Sequence, residues 1–148
     1  MKVKTKNEKE TKNFAKKMAK SISKNNKKAT VITLSGELGS GKTTFAKGFA
    51  EQFNVLEITS PTFVIMKKYN LEESEFNNFY HVDCYRLEKD SDLKEINFDE
   101  VLNNKNNIVL IEWPERVKRV PENSLNLKFE VLDEGRLITT SNSFNLKK

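Results

Sequence analysis

The stretch TVITLSGELGSGKTT, residues 30 to 44, decides how the rest of the chain is read. Thr30 to Ser35 is a β-branched run of strand length, and the residues from about Thr43 to Phe53 have helical spacing. Between them, Gly36 to Thr43 satisfies GxxxxGK[ST], so the motif falls in the strand, loop and helix context that its chemistry requires. Three of the chain's five glycines lie in this one turn. They allow backbone N–H groups to converge on phosphate oxygens at a helix N-terminus, whose dipole favours the same charge. Lys42 is expected to reach the β- and γ-phosphates, and the Thr43 hydroxyl to ligate Mg²⁺. The expected ligand is a nucleoside triphosphate with Mg²⁺.

Upstream of this unit, Thr5-Lys-Asn-Glu8 has the spacing of a capping box. Phe14, Ala15, Met18, Ala19 and Ile22 then share one helical face, which predicts a first helix ending near Asn25-Asn26. Downstream, Val64 to Tyr69 and Asn78 to Asp83 read as a hairpin joined by the acidic loop Glu72 to Asn77. Asp90 to Asn104 has helical spacing with a break at Asn97. Ile108 to Ile111 is a second buried strand, and Leu125 to Leu132 with Arg136 to Thr140 form a hairpin around Asp133-Glu-Gly135. Alternating strands and helices followed by late strands predict a layered α/β sheet with an antiparallel portion, and with the phosphate-loop motif the expected class is α/β, a three-layer P-loop NTPase fold with a mixed parallel and antiparallel central sheet. The length, 148 residues, fits a single domain spanning 1–148.

The formal net charge is +5, but residues 1 to 28 hold eleven Lys against two Glu, and the remainder holds 15 Lys plus Arg against 19 acids. The basicity therefore belongs to one Lys-rich, Arg-free segment, which suits a solvated helix face better than a groove reader. It leaves open docking to an acidic partner or to RNA phosphate. One cysteine precludes an internal disulfide, and no apolar run approaches the roughly 18 residues of a membrane span, so a cytoplasmic protein without a membrane role is expected.

A P-loop nucleotidase needs a second carboxylate at the end of a neighbouring buried strand. Glu112, directly after Ile108 to Ile111, has that position and is the candidate second Mg²⁺ residue beside Thr43. Ser60-Pro61-Thr62-Phe63 lies where switch segments supply a hydroxyl near the γ-phosphate, although Ser-Pro-Thr is also ordinary turn chemistry. Tyr80 to Leu87, YHVDCYRL, contains the only histidine and the only cysteine. Strand alternation puts His81, Asp83 and Tyr85 on one face and Val82 and Cys84 on the other, so Cys84 is expected in the core and not beside His81. A zinc site wants about four N or S ligands, and this chain owns two candidates. Asp83 is left as the chemically useful group, placed to orient a water or a Mg²⁺-bound water.

Together, GELGSGKTT, SPTF, HVDCYRL and IEWPE, in this order and spacing, resemble the TsaE (YjeE) family of bacterial P-loop ATPases, over nearly the whole chain. The resemblance implies a small ATPase, weak without its partners, that takes part in forming threonylcarbamoyladenosine in tRNA. It would cycle a complex of the TsaB and TsaD proteins without transferring the group itself. It further implies that Gly39, Ser40, Gly41, Lys42, Thr43 and Thr44 hold the phosphates of ATP and that Thr43 and Glu112 hold Mg²⁺. Asp83 and Lys42 would then be the catalytic pair. Glu8 and Thr11 match positions near the adenine, and Gly135 one beside the nucleotide. Glu37 and Ser40 stand where the family often has Asp and Ala, and the Lys-rich first helix leaves a weak or indirect contact with tRNA open.

Two other classes share the loop. A small-molecule or nucleoside kinase usually closes an Arg-bearing lid, whereas Arg86, Arg116, Arg119 and Arg136 are scattered along the sequence. A non-hydrolysing, nucleotide-dependent scaffold is separated only by a rate. A regulatory GTPase would need NKxD, and Asn104-Lys-Asn-Asn107 lacks the Asp. Trp113 either stacks on a partner or packs at its strand end, and Arg86 serves either docking or the fold.

Overall fold

The computed structural model describes residues 1–24, 27–58, 65–87, 91–94, 96–117 and 120–141. The elements run β1 (Lys2–Thr5), α1 (Glu8–Ser21), β2 (Thr30–Gly36), α2 (Lys42–Glu51), β3 (Met66–Asn70) and β4 (Asn78–Asp83). They continue as α3 (Ser91–Lys94), α4 (Phe98–Leu102), β5 (Asn107–Glu112), a 3-10 turn (Pro114–Arg116), β6 (Leu125–Val131) and β7 (Arg136–Thr140). Pairing is parallel between β4 and β5 and antiparallel in β1/β7, β6/β7 and β3/β4, the mixed α/β arrangement expected from the sequence. The chain divides into two compact units. One comprises Met1–Ile22, Leu34–Ser60 and Leu125–Lys148, and the other Ser23–Thr33 and Pro61–Ser124.

In the first unit the strands are ordered β1-β7-β6-β2, with α1 and α2 packed together. Phe45 of α2 meets Phe129 of β6 edge-on at 5.6 Å and Phe14 of α1 at 6.0 Å, so one buried ring joins both helices to the sheet. The helices approach closely because residue 48 is glycine: a Cβ there would stand 2.7 Å from the Lys12 carbonyl oxygen. At the rim of this crossing, Lys12 and Lys16 lie 3.4 and 3.0 Å from Glu51, and the hydrogen bond from Lys16 leads in holding the Glu51 carboxyl below its ordinary range.

The start of α1 corrects the sequence reading. Asn7, not Thr5, is the N-cap, accepting from the Glu10 N–H at 2.9 Å, and the Glu10 carboxylate accepts from the Lys6 N–H at 2.6 Å. Thr5 belongs to the short strand β1 and not to the helix entry, and it pairs with Arg136 of β7. The helix also stops at Ser21, short of Asn25-Asn26, which fall outside the described residues. Ser21 Oγ donates to the Met18 carbonyl at 2.6 Å, and Ile22 is already extended.

In the second unit the order is β2-β5-β4-β3. Every residue of β5 is buried, as a strand covered on both faces requires. Tyr80, Val82 and Cys84 of the β4 segment join Val109 and Ile111 of β5 in a core with Phe98, Val101 and Leu102 of α4. The expected break at Asn97 is present: this residue adopts φ 57°, ψ 39°, which Asn tolerates, and it separates α3 from α4. The hydrogen bond from the Ala29 N–H to the Leu102 carbonyl, 3.0 Å, ties the chain entering β2 to the end of α4.

Candidate functional site

The loop of residues 37–41 connects β2 to α2. Gly41 is the N-cap of α2 at φ 104°, a conformation that L side chains resist, and no side chain among the described residues caps the helix start. The first-turn N–H groups are therefore left to an external acceptor. Ser40 is 1% exposed, and its hydroxyl has no hydrogen-bond partner among the described residues, an uncommon state for a buried polar group. Lys42 is 5% exposed and folds back over the loop, donating to the Gly36 carbonyl and to the Glu37 carbonyl at 3.1 Å. These carbonyls hold the ammonium inside the turn, where an incoming anion would meet it. Thr43 is exposed and Thr44 half-buried on the first turn of α2.

The same unit brings Thr11 and Gly135 to a common neighbour. The Thr11 hydroxyl lies 2.7 Å from that of Thr5, and a Cβ on Gly135, at φ 82°, would collide with the Thr5 carbonyl. Glu8 is exposed on the first turn of α1. Arg136, beside Gly135, lies against Gly41, with its Cγ and Nε 3.8 Å from where a Gly41 Cβ would stand. The placing of Thr5 and Arg136 here depends on the β1/β7 register, which local pattern does not predict.

In the second unit, Asp83 and Glu112 are register partners at the C-terminal ends of parallel β4 and β5, the end of such sheets at which ligands bind. Asp83 Oδ1 accepts from the Tyr85 N–H at 3.0 Å, an Asx turn that holds the carboxylate, and Oδ2 has no partner among the described residues. Glu112 Oε2 accepts from His81 Nε2 at 2.7 Å, both side chains buried, while His81 Nδ1 has no partner among the described residues. This pair is the role that strand alternation alone did not assign to His81. Cys84 is fully buried on the opposite face, and burial, with lesser help from the Asp83, Glu115 and Glu112 carboxylates, pushes its thiol up to about 12. It is a core residue and no nucleophile. Trp113, at φ 59°, packs its ring 5.0 Å from Tyr85, over which Arg116 stands at 5.6 Å. Arg86 is exposed. Ser60, Pro61, Thr62 and Phe63 lie outside the described residues.

A family model described as "Threonylcarbamoyl adenosine biosynthesis protein TsaE" matches residues 5–138. The chain belongs to the TsaE family. A TsaE from Rickettsia felis, described as a tRNA threonylcarbamoyladenosine biosynthesis protein, is 37% identical over 147 residues, covering 95% of this chain and 81% of the relative. A TsaE of the same description from Bacillus subtilis is 38% identical over 142 residues, covering 94% and 84%. Among solved structures, that of Bacillus subtilis YdiB superposes with a TM-score of 0.71 at 34% identity, covering 95% of this chain and 83% of that one. The TsaE family is P-loop ATPase-like, and the mixed sheet with its loop at the β2–α2 junction is the P-loop fold of that neighbour.

Proposed function

We propose that the chain is a Mg²⁺-dependent ATP-binding protein and slow ATPase of tRNA threonylcarbamoyladenosine biosynthesis. It would act in the cytoplasm, cycling a complex of TsaB and TsaD without transferring the group itself. The observation that carries the ATP reading is the loop of residues 37–41. It combines an uncapped helix start, a glycine at positive φ and a lysine folded into the turn, which together suit an anionic phosphate chain. The pathway is carried by family membership. No helix among the described residues is long and apolar enough to cross a membrane.

The donors present fit a hard divalent cation. The Thr43 hydroxyl and Glu112 Oε1 have no protein partner among the described residues, and oxygen donors of this kind suit Mg²⁺. No group of three or more His, Cys, Asp or Glu gathers among the described residues. Bound metal would neutralise charge developing on the phosphates. In this reading Gly39 to Thr44 grip the phosphates, His81 steadies Glu112, and Asp83 orients the attacking water. Glu8, Thr11 and Gly135 would then lie toward the nucleoside.

The deciding experiment measures MgATP affinity and hydrolysis rate for the chain alone and with TsaB and TsaD. Saturable binding and a rate raised by the partners are expected. Binding without any hydrolysis would make the chain a scaffold, and loss of the pathway reading would follow if depleting the protein left modified adenosine in tRNA at normal levels.

A further inference from the structure

Arg136 opens β7 directly after the Gly135 turn, and its backbone is paired on both sides, with Thr5 of β1 and with Val131 of β6. The side chain runs back over the phosphate loop, where Cγ and Nε lie 3.8 Å, and Cδ 3.9 Å, from the place of a Gly41 Cβ. A Cβ at position 41 would stand in ordinary van der Waals contact with it. Arg136 is half-buried and among the described residues its side chain meets no carboxylate and makes one hydrogen bond, from Nη1 to the Gly135 carbonyl at 3.2 Å. A guanidinium has five N–H donors in a fixed fork, so most of this one is unspent. Holding a cation partly out of water without a counter-ion is unfavourable unless an anion arrives, and the nearest feature is the uncapped start of α2, which attracts anions by its dipole.

We propose that Arg136 is a phosphate-binding residue of the nucleotide site, its fork pairing with phosphate oxygens on the Gly41 side of the loop. This assignment rests on the ATP reading above. The arginine comes from the far end of the sequence and is fixed by β1 and β6, so it is a rigid wall of the site and not a closing lid. Stacking on a neutral base is the other common use of arginine. Contact with Gly41 at the helix start favours the phosphate, because that is where backbone and dipole concentrate positive potential.

The test compares the wild-type chain, Arg136→Gln and Arg136→Lys for MgATP affinity by calorimetry and for competition by inorganic tripolyphosphate, which has no base. Arg136→Gln is expected to lose roughly tenfold in both, the loss of a charge-assisted, bidentate contact, and Arg136→Lys to recover part of it. Unchanged ATP affinity in Arg136→Gln would overturn the assignment alone, as would a loss for ATP with none for tripolyphosphate, the result of base stacking. Absence of ATP binding by the wild-type chain would instead remove the ATP reading and this assignment with it. Circular dichroism checks folding. Should Arg136→Gln not fold, Arg136→Lys carries the test, with about a threefold loss expected and full affinity contradicting it.

Discussion

His81 Nε2 stands 2.7 Å from Glu112 Oε2 across the parallel β4/β5 pair, and both side chains are buried. The contact fixes the orientation of the one acid at the end of β5 and leaves its other oxygen open. Removing the imidazole would strand a buried carboxylate without its donor, a far larger penalty than losing an exposed pair.

His81→Leu is therefore expected to destabilise the fold by about 3 kcal/mol, the order found when one partner of a buried polar pair is deleted. His81→Gln, which keeps a donor, should lose less. Urea unfolding of the three proteins checks this, and equal midpoints for His81→Leu and wild type would show that Glu112 does not depend on His81.

Lys42→Ala removes the ammonium that the Gly36 and Glu37 carbonyls hold in the turn. ATP affinity should fall below detection by calorimetry or hydrolysis should cease, with the fold retained by circular dichroism. Wild-type affinity together with a wild-type rate would contradict the loop's assignment.

Asp83→Ala should keep ATP affinity within about threefold while lowering turnover by roughly 10² or more, as expected on losing a positioned general base or water-orienting group. Loss of binding with an intact rate per bound nucleotide would make Asp83 structural.

Two glycine substitutions separate packing from backbone conformation. Gly48→Ala puts a Cβ 2.7 Å from the Lys12 carbonyl oxygen and must push α1 from α2, at a cost of about 2–3 kcal/mol. Gly39→Ala meets no atom within 4 Å but must hold φ 76°, at a cost of about 1–2 kcal/mol. Thermal melts rank them, and a milder effect at position 48 than at 39 would mean that the helices separate easily.

The Cys84 thiol, raised to about 12 by burial, ionises in the unfolded chain near its ordinary value of 9.0. Between those values the unfolded state binds fewer protons, so stability falls as pH rises from about 9 toward 12, and no such loss occurs below 9. The native thiol should resist alkylation at pH 8 and react promptly in urea. Rapid labelling of the native protein would show that Cys84 is exposed, and Cys84→Ala should flatten the alkaline decline.

Local pattern was enough for much of this molecule. GxxxxGK[ST] between a β-branched run and a helical one places the loop, because its glycines and lysine act within one turn of chain. Period-2 alternation in YHVDCYRL correctly sent Cys84 inward with Val82 and set Asp83 on the other face, and the left-handed Asn97 was legible as a break between helices. Where local signals competed, reading went astray: Thr5 has the spacing of a cap, yet its ladder with Arg136 outweighed a bond that Asn7 could supply instead.

Residues joined only by register were invisible. The β4/β5 pairing set His81 on Glu112, the β1/β7 and β6/β7 ladders carried Arg136 back to Gly41, and the α1/α2 crossing made residue 48 a glycine position. Each depends on which distant strand or helix lies alongside, a choice made by burial of whole faces and not by nearby residues. By itself the sequence determined the phosphate loop, the chemistry of its lysine and the alternation that singled out Asp83. Tertiary structure alone decided which distant side chains surround them, because long-range contacts form only when the hydrophobic faces of separate elements find one register.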